Sequence, residues 1–144
     1  MARKRAERQI EIAGTPKACF DAITDYESFA DWQGAVKDVE VLTRDKDGRG
    51  EQVAFEIDAK LRTVRYTLEY SYEEPHHVSW SYVEGDPKEV DGELVLEDRG
   101  DDVTLATYSL RIDAGMWLPG PVVSLLNEQV MQGALEDLKR RVES

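Results

Sequence analysis

Through the middle of the chain, from 36 to 112, apolar and polar residues alternate with a period of two. The cleanest run sets Val64, Tyr66, Leu68, Tyr70 and Tyr72 against Thr63, Arg65, Thr67, Glu69 and Ser71. That spacing puts every large apolar side chain of the run on one face of a strand and leaves the other face to water. Val39 and Val41 do the same before it, as do Val53, Phe55, Ile57 and Ala59, then Val78, Trp80 and Tyr82, then Leu94 and Leu96. In the last run, 103–112, both faces carry apolar residues, and Ala106, Tyr108, Leu110 and Ile112 are taken as the inward set. Turn residues separate the runs at Asp45-Lys46-Asp47-Gly48, Pro75-His76, Gly85-Asp86-Pro87 and Gly100-Asp101-Asp102. Strands joined by tight turns, with no helix between them, predict an antiparallel meander with one solvated face.

The two ends follow other rules. Segment 6–12 predicts a strand with Arg8, Ile10 and Ile12 on one face. Gly14 breaks it, and Thr15-Pro16 supplies a cap and a first helical residue. A short helix with Phe20 and Ile23 on its apolar face then runs to about Asp25, and a second helical turn covers 27–32. After the loop Gly115 to Pro121, residues Val122, Leu126, Val130, Ala134, Leu138 and Val142 fall four apart. They form the stripe of a helix of about 22 residues, roughly 33 Å long, with Lys139, Arg140 and Arg141 at its electronegative end. Only the sheet's inner face is large enough to cover that stripe.

The expected fold is therefore α+β and of helix-grip type. A seven-stranded curved antiparallel sheet, two short helices and a long C-terminal helix form a single domain over 1–144. A twisted sheet of seven strands curls, and one straight helix cannot fill the hollow. Five of the six tyrosines (66, 70, 72, 82 and 108) fall on inward positions. Each brings an apolar ring with one hydroxyl, and a mostly apolar cavity with a few placed polar groups is the usual makeup of a small-molecule site. The candidate ligand contacts are Phe55, Tyr66, Leu68, Tyr70, Trp80, Tyr82, Leu94 and Tyr108 on the sheet, with Trp117, Leu126 and Val130 on the C-terminal segment.

Charge narrows the partners. Thirty acidic residues against 18 basic ones give a net charge of −12, a field that repels a phosphate backbone. No nucleic-acid partner is expected, and the Arg3, Lys4, Arg5 and Arg8 cluster reads as a solvated terminus. The single cysteine, Cys19, rules out an intrachain disulfide. The start of the chain lacks the apolar core of a signal peptide, and no apolar run reaches the roughly 20 residues of a membrane span. A cytoplasmic address is expected.

Several segments together resemble a known family. They are Ile10-Glu11-Ile12 with Gly14-Thr15-Pro16 and Phe20, then Asp25-Tyr26-Glu27-Ser28-Phe29-Ala30-Asp31-Trp32, then 36–42, and Trp117-Leu118-Pro119 before the long helix. In order and spacing they resemble the START-like helix-grip superfamily (SRPBCC), in its polyketide cyclase/dehydrase and lipid-transport branch. Ala30 stands where many relatives have proline. The resemblance implies a small hydrophobic ligand, such as a lipid, quinone or polyketide-like aromatic, held in an internal cavity. Its alternatives are a polyketide cyclase/dehydratase and a protein-interaction role like that of the ribosome-association branch.

The candidate chemistry is sparse. His76 and His77 are adjacent at a turn and read as exposed; His77 lies on the face opposite Val78. Glu56 and Asp58 fall on the outer face, and Asp25 reads as a helix-end or loop hydrogen-bonding group. One cysteine and two adjacent histidines make poor metal ligands, so neither metal nor cofactor is expected, and no catalytic set is assigned. Cys19, among Ala18, Phe20, Ala22 and Ile23, reads as a buried inert thiol.

Overall fold

The computed structural model describes residues 4–34, 36–58, 63–113 and 120–144, with backbone alone at 4–5, 112–113 and 120–130. Seven strands form one antiparallel sheet: β1 Lys4–Ala13, β2 Val36–Arg44, β3 Gly50–Asp58, β4 Thr63–Glu73, β5 His77–Gly85, β6 Glu89–Gly100 and β7 Val103–Asp113. The order is β1-β7-β6-β5-β4-β3-β2, so each strand from β2 to β7 lies beside its neighbour in sequence and β1 closes the far edge against β7. Three helices accompany the sheet: α1 Pro16–Ile23, α2 Phe29–Trp32 and α3 Gly120–Glu143, with a 3₁₀ turn at Tyr26–Ser28 between the first two.

The alternation seen in the sequence becomes the inner face. Val53, Phe55 and Ile57 on β3, Leu68 on β4, Val78 on β5, Leu94 and Leu96 on β6, and Ala106 and Leu110 on β7 are all buried. Register carries this face across the strands: Tyr70 lies opposite Trp80, Trp80 opposite Gly92, and Leu94 opposite Tyr108. Ala106 and Leu110 settle the inward set of β7 as expected; the side chain of Ile112 lies outside the described residues.

One end of this face is packed tight. Ile12, Cys19, Phe20, Val78, Leu94, Leu96, Ala106, Leu135 and Leu138 form one cluster, and none is more than 1% exposed. Thr15 starts α1, its side chain accepting from the Ala18 N–H at 3.2 Å, and so aims Phe20 inward. The C-terminal half of α3 is fastened here at three points. Lys139 Nζ donates to the Glu11 carbonyl at 3.1 Å, the Ala13 N–H to Glu143 at 2.9 Å, and the Gly34 N–H to Asp137 at 3.0 Å. No helix among the described residues is long and apolar enough to cross a membrane.

Candidate functional site

The covers of the sheet are uneven. α3 packs over β1 and β7, while α2 and the 3₁₀ turn pack over β2. Between these covers, β4 and β5 carry the bulkiest inward side chains. The inward face of the middle strands lies between these two covers.

Aromatic rings line that floor in sequence. Phe55 lies 5.8 Å from Tyr66 and 6.3 Å from Tyr70, between ring centroids; Tyr70 lies 5.8 Å from Trp80, and Trp80 lies 5.5 Å from Tyr108, edge to face. Tyr72 stacks parallel to Tyr70 at 6.2 Å. These separations are those of attractive ring pairs, so the wall is self-supporting. Gly92 makes room for it: a Cβ there would come within 2.7 Å of the Trp80 indole and 2.5 Å of the Ser109 carbonyl. Only glycine lets the indole lie this close to β6.

The hydroxyls divide into two groups. Tyr26 is bonded to Tyr72 at 2.8 Å, and Tyr72 donates in turn to the Gly50 carbonyl, which leaves Tyr26 as donor in the first bond. Tyr82 donates to the Pro87 and Gly85 carbonyls, at 2.6 and 2.8 Å, and so ties down the β5–β6 turn. Those three are structural. The hydroxyls of Tyr66, Tyr70 and Tyr108, with the Trp80 indole N–H, have no hydrogen-bond partner among the described residues. The three residues are half-buried, so their hydroxyls are open to solvent or a ligand. All three stand on one wall without an acceptor among the described residues.

Their electrostatics limit their chemistry. Burial pushes all three well above the ordinary tyrosine range; Tyr66 and Tyr108 raise Tyr70 further, and Tyr108 raises Tyr66. The three phenols therefore stand close enough to feel one another's charge, and at neutral pH they are neutral donors rather than bases. Burial takes Tyr72 to about 12 as well. An acid whose folded pKa is raised contributes stability that is intact below the unfolded value, about 10, and lost as pH rises through the folded value. Ultraviolet titration should therefore show five tyrosines, 26, 66, 70, 72 and 108, still un-ionised on the native protein near pH 10 and ionising together with alkaline unfolding, while Tyr82, nearer the surface, ionises first. A gradual rise near pH 10 on the still-folded protein with the amplitude of more than one tyrosine would contradict this burial.

The remaining candidate chemistry lies away from the aromatic wall. His77, on the outer face, bonds Glu93 at 2.6 Å and lies 3.3 Å from Glu73; His76 is exposed, with Nδ1 3.0 Å from the Leu96 carbonyl. Asp25 hydrogen-bonds through its main chain: its side chain makes no capping bond, and its carbonyl accepts from the Ser28 N–H and hydroxyl. Cys19 is buried, and burial raises its thiol. Among the described residues, no three His, Cys, Asp or Glu side chains stand together as metal ligands would.

Of the sequence-derived contacts, Phe55, Tyr66, Tyr70, Trp80 and Tyr108 come together in the wall. Leu68 and Leu94 lie on the same face but are packed within the core. Tyr82 shares the face, but its hydroxyl is committed to the turn. Trp117 lies outside the described residues, as do the side chains of Leu126 and Val130 on α3. Tyr26 is the residue that sequence reasoning missed. It is 3% exposed and 4.7 Å from Tyr70 between centroids. Its three-residue spacing from Phe29 was the available signal.

Comparison with known proteins bears on this arrangement. Residues 3–143 match the model of the family described as polyketide cyclase / dehydrase and lipid transport. A START superfamily protein from Mycobacterium smegmatis superposes with a TM-score of 0.88 at 21% identity, over 96% of this chain and 97% of that one. The Zhui aromatase/cyclase from a Streptomyces species superposes at 0.87 and 13% identity, over 98% and 94%. A Thermus thermophilus protein does so at 0.78 and 22%, over 97% and 96%. At these identities the likeness shows the fold alone. A search of the curated proteins finds no match.

Proposed function

The chain belongs to the polyketide cyclase/dehydrase and lipid-transport family, and on that premise we propose that it binds a small, largely apolar, oxygen-bearing molecule against the aromatic wall of Phe55, Tyr66, Tyr70, Trp80 and Tyr108. The observation that carries this reading is the trio of hydroxyls on Tyr66, Tyr70 and Tyr108 that have no partner among the described residues. Rings supply the apolar contact area, and the hydroxyls supply donors for carbonyl or ether oxygens. A lipid, a quinone and a polyketide-like aromatic all fit that description.

The test is a thermal-shift panel of fatty acids, quinones and aromatic polyketides. A ligand present at a hundred times its Kd stabilises the folded state by about 2.7 kcal/mol. For a chain of this length that raises Tm by roughly 10 °C. A panel in which nothing moves Tm would sink the proposal.

A second reading, a cyclase or dehydratase, draws on the same three hydroxyls. Neutral phenols fixed on one wall can hold successive carbonyls of a flexible poly-β-ketone in a reactive fold, which is catalysis by positioning. Turnover of a poly-β-ketone surrogate, lost in Tyr70→Phe and Tyr108→Phe, supports it. Tyr82→Phe is the control, since that hydroxyl serves the turn.

A further inference from the structure

The rings of the aromatic wall stand on both sides of β6, which lies between β5 and β7 and carries no ring of its own. At the level of the wall its residue is Gly92, opposite Trp80 on one side and Leu110 on the other. The Trp80 indole occupies the place that a side chain on β6 would take. A Cβ on residue 92 would come within 2.7 Å of its Cζ2 and 2.8 Å of its Cε2. Carbon atoms in ordinary contact keep about 3.5–4.0 Å apart. Seated there, the indole meets Tyr70 at 5.8 Å and Tyr108 at 5.5 Å, and so carries the wall across β6.

Two ladders of unequal length meet at this rung. β6 pairs with β7 from Glu89 to Gly100, but with β5 only where His77 to Trp80 face it. Past Trp80 the Tyr82 N–H turns to the Asp91 carboxylate at 3.2 Å. The β5–β6 turn is fastened back on β4 instead, where Arg65 and Asp86 exchange two hydrogen bonds of 2.8 Å. Trp80 therefore stands on the last rung of the shorter ladder, half-buried. The Ser109 carbonyl, the other group that a Cβ on residue 92 would crowd, belongs to the longer one. Of the two, the indole is the part free to yield.

We propose that Gly92 is a specificity-determining residue: its missing side chain seats the Trp80 indole against β6, and that seat sets how large a ring system the wall accepts. The proposal rests on the binding role given above and adds what fixes the size of the ligand. A Cβ on residue 92 lifts the indole off the strand, toward the ligand's side of the wall, and turns away the larger molecules first. Removing the indole bares the notch over Gly92 and admits them.

The experiment is calorimetric titration of the full chain with two uncharged ketones that differ by one ring, 2-acetylnaphthalene and 2-acetylanthracene. The quantity read is the ratio of their affinities. Trp80→Leu should shift it roughly tenfold toward the anthracene, and Gly92→Ala roughly tenfold toward the naphthalene, the scale on which an apolar pocket discriminates by size. A substitution that only loosens the fold weakens both ketones alike and leaves the ratio unmoved. Urea denaturation of the double variant is the second reading. With the indole gone, Gly92→Ala should lower the midpoint less than it does in the native chain. An equal loss in both backgrounds contradicts the seat. Where Gly92→Ala alone does not fold, a double variant that folds supports the seat and one that does not contradicts it. If both ketones bind and no variant moves the ratio, the seat does not set ligand size and the binding role stands. If neither ketone binds the native chain, both proposals fall.

Discussion

Phe20→Ala lowers the free energy of unfolding by about 3–5 kcal/mol, a large part of what a domain of this size has to spare. The ring is fully buried in the cluster that joins α1 to the sheet and to Leu135 and Leu138 of α3. It also meets Tyr72 edge to face at 6.0 Å and lies under the Arg49 guanidinium. Alanine leaves a cavity among side chains that are themselves almost fully enclosed, so little collapse can fill it. Urea denaturation reads the effect as a lower midpoint at unchanged slope. Val83→Ala, on an exposed position of the outer face, is the control and should change stability by less than about 0.5 kcal/mol. A Phe20→Ala loss under about 1 kcal/mol would mean that this end of the sheet is not the rigid half of the molecule.

Changing Tyr66, Tyr70 and Tyr108 together to phenylalanine moves two quantities apart. Each substitution removes one hydroxyl and keeps the ring, so the stacked wall survives. Without ligand, the triple variant loses groups that the described residues leave unsatisfied. Its stability should be unchanged or up to about 3 kcal/mol higher, depending on how well water in the hollow already serves those hydroxyls. Affinity for an oxygen-bearing ligand should fall, because three hydrogen bonds at about 0.5–1.5 kcal/mol each amount to roughly 10- to 1,000-fold. Calorimetric titration beside urea denaturation gives both numbers. A variant that is destabilised and still binds normally would show that the three hydroxyls serve the fold instead.

Much of this was readable because the sheet has one dry face. A period of two on β4 assigns Tyr66, Leu68, Tyr70 and Tyr72 to the same side, and a slip of one residue would turn all of them to water. The four-residue stripe of α3 was equally plain, since its Leu138 and Val142 had nowhere to go but the sheet. Hydroxyl partners were not readable. Nothing in the spacing of Tyr82 and Tyr108 says that one reaches the Pro87 carbonyl and the other reaches none of the described residues. Tyr26 escaped notice because it sits on a 3₁₀ turn, where neither the strand period nor the helix period applies. Arg49 directly follows the turn at Asp45 to Gly48, and its spacing carries no signal. Its position over Phe20 and Tyr72 depends on how α1 meets β4, a contact between residues far apart in sequence.

All of these expectations assume a hollow beside the middle strands, with three phenol oxygens facing it. A crystal structure of the protein grown with a quinone or an aromatic polyketide tests that directly. The account predicts electron density for the ligand against Trp80, with oxygen atoms within about 3.2 Å of the Tyr66, Tyr70 and Tyr108 hydroxyls. A structure in which those hydroxyls bond only to the chain's own groups, with side chains filling the space and no room for even a water molecule, would contradict it.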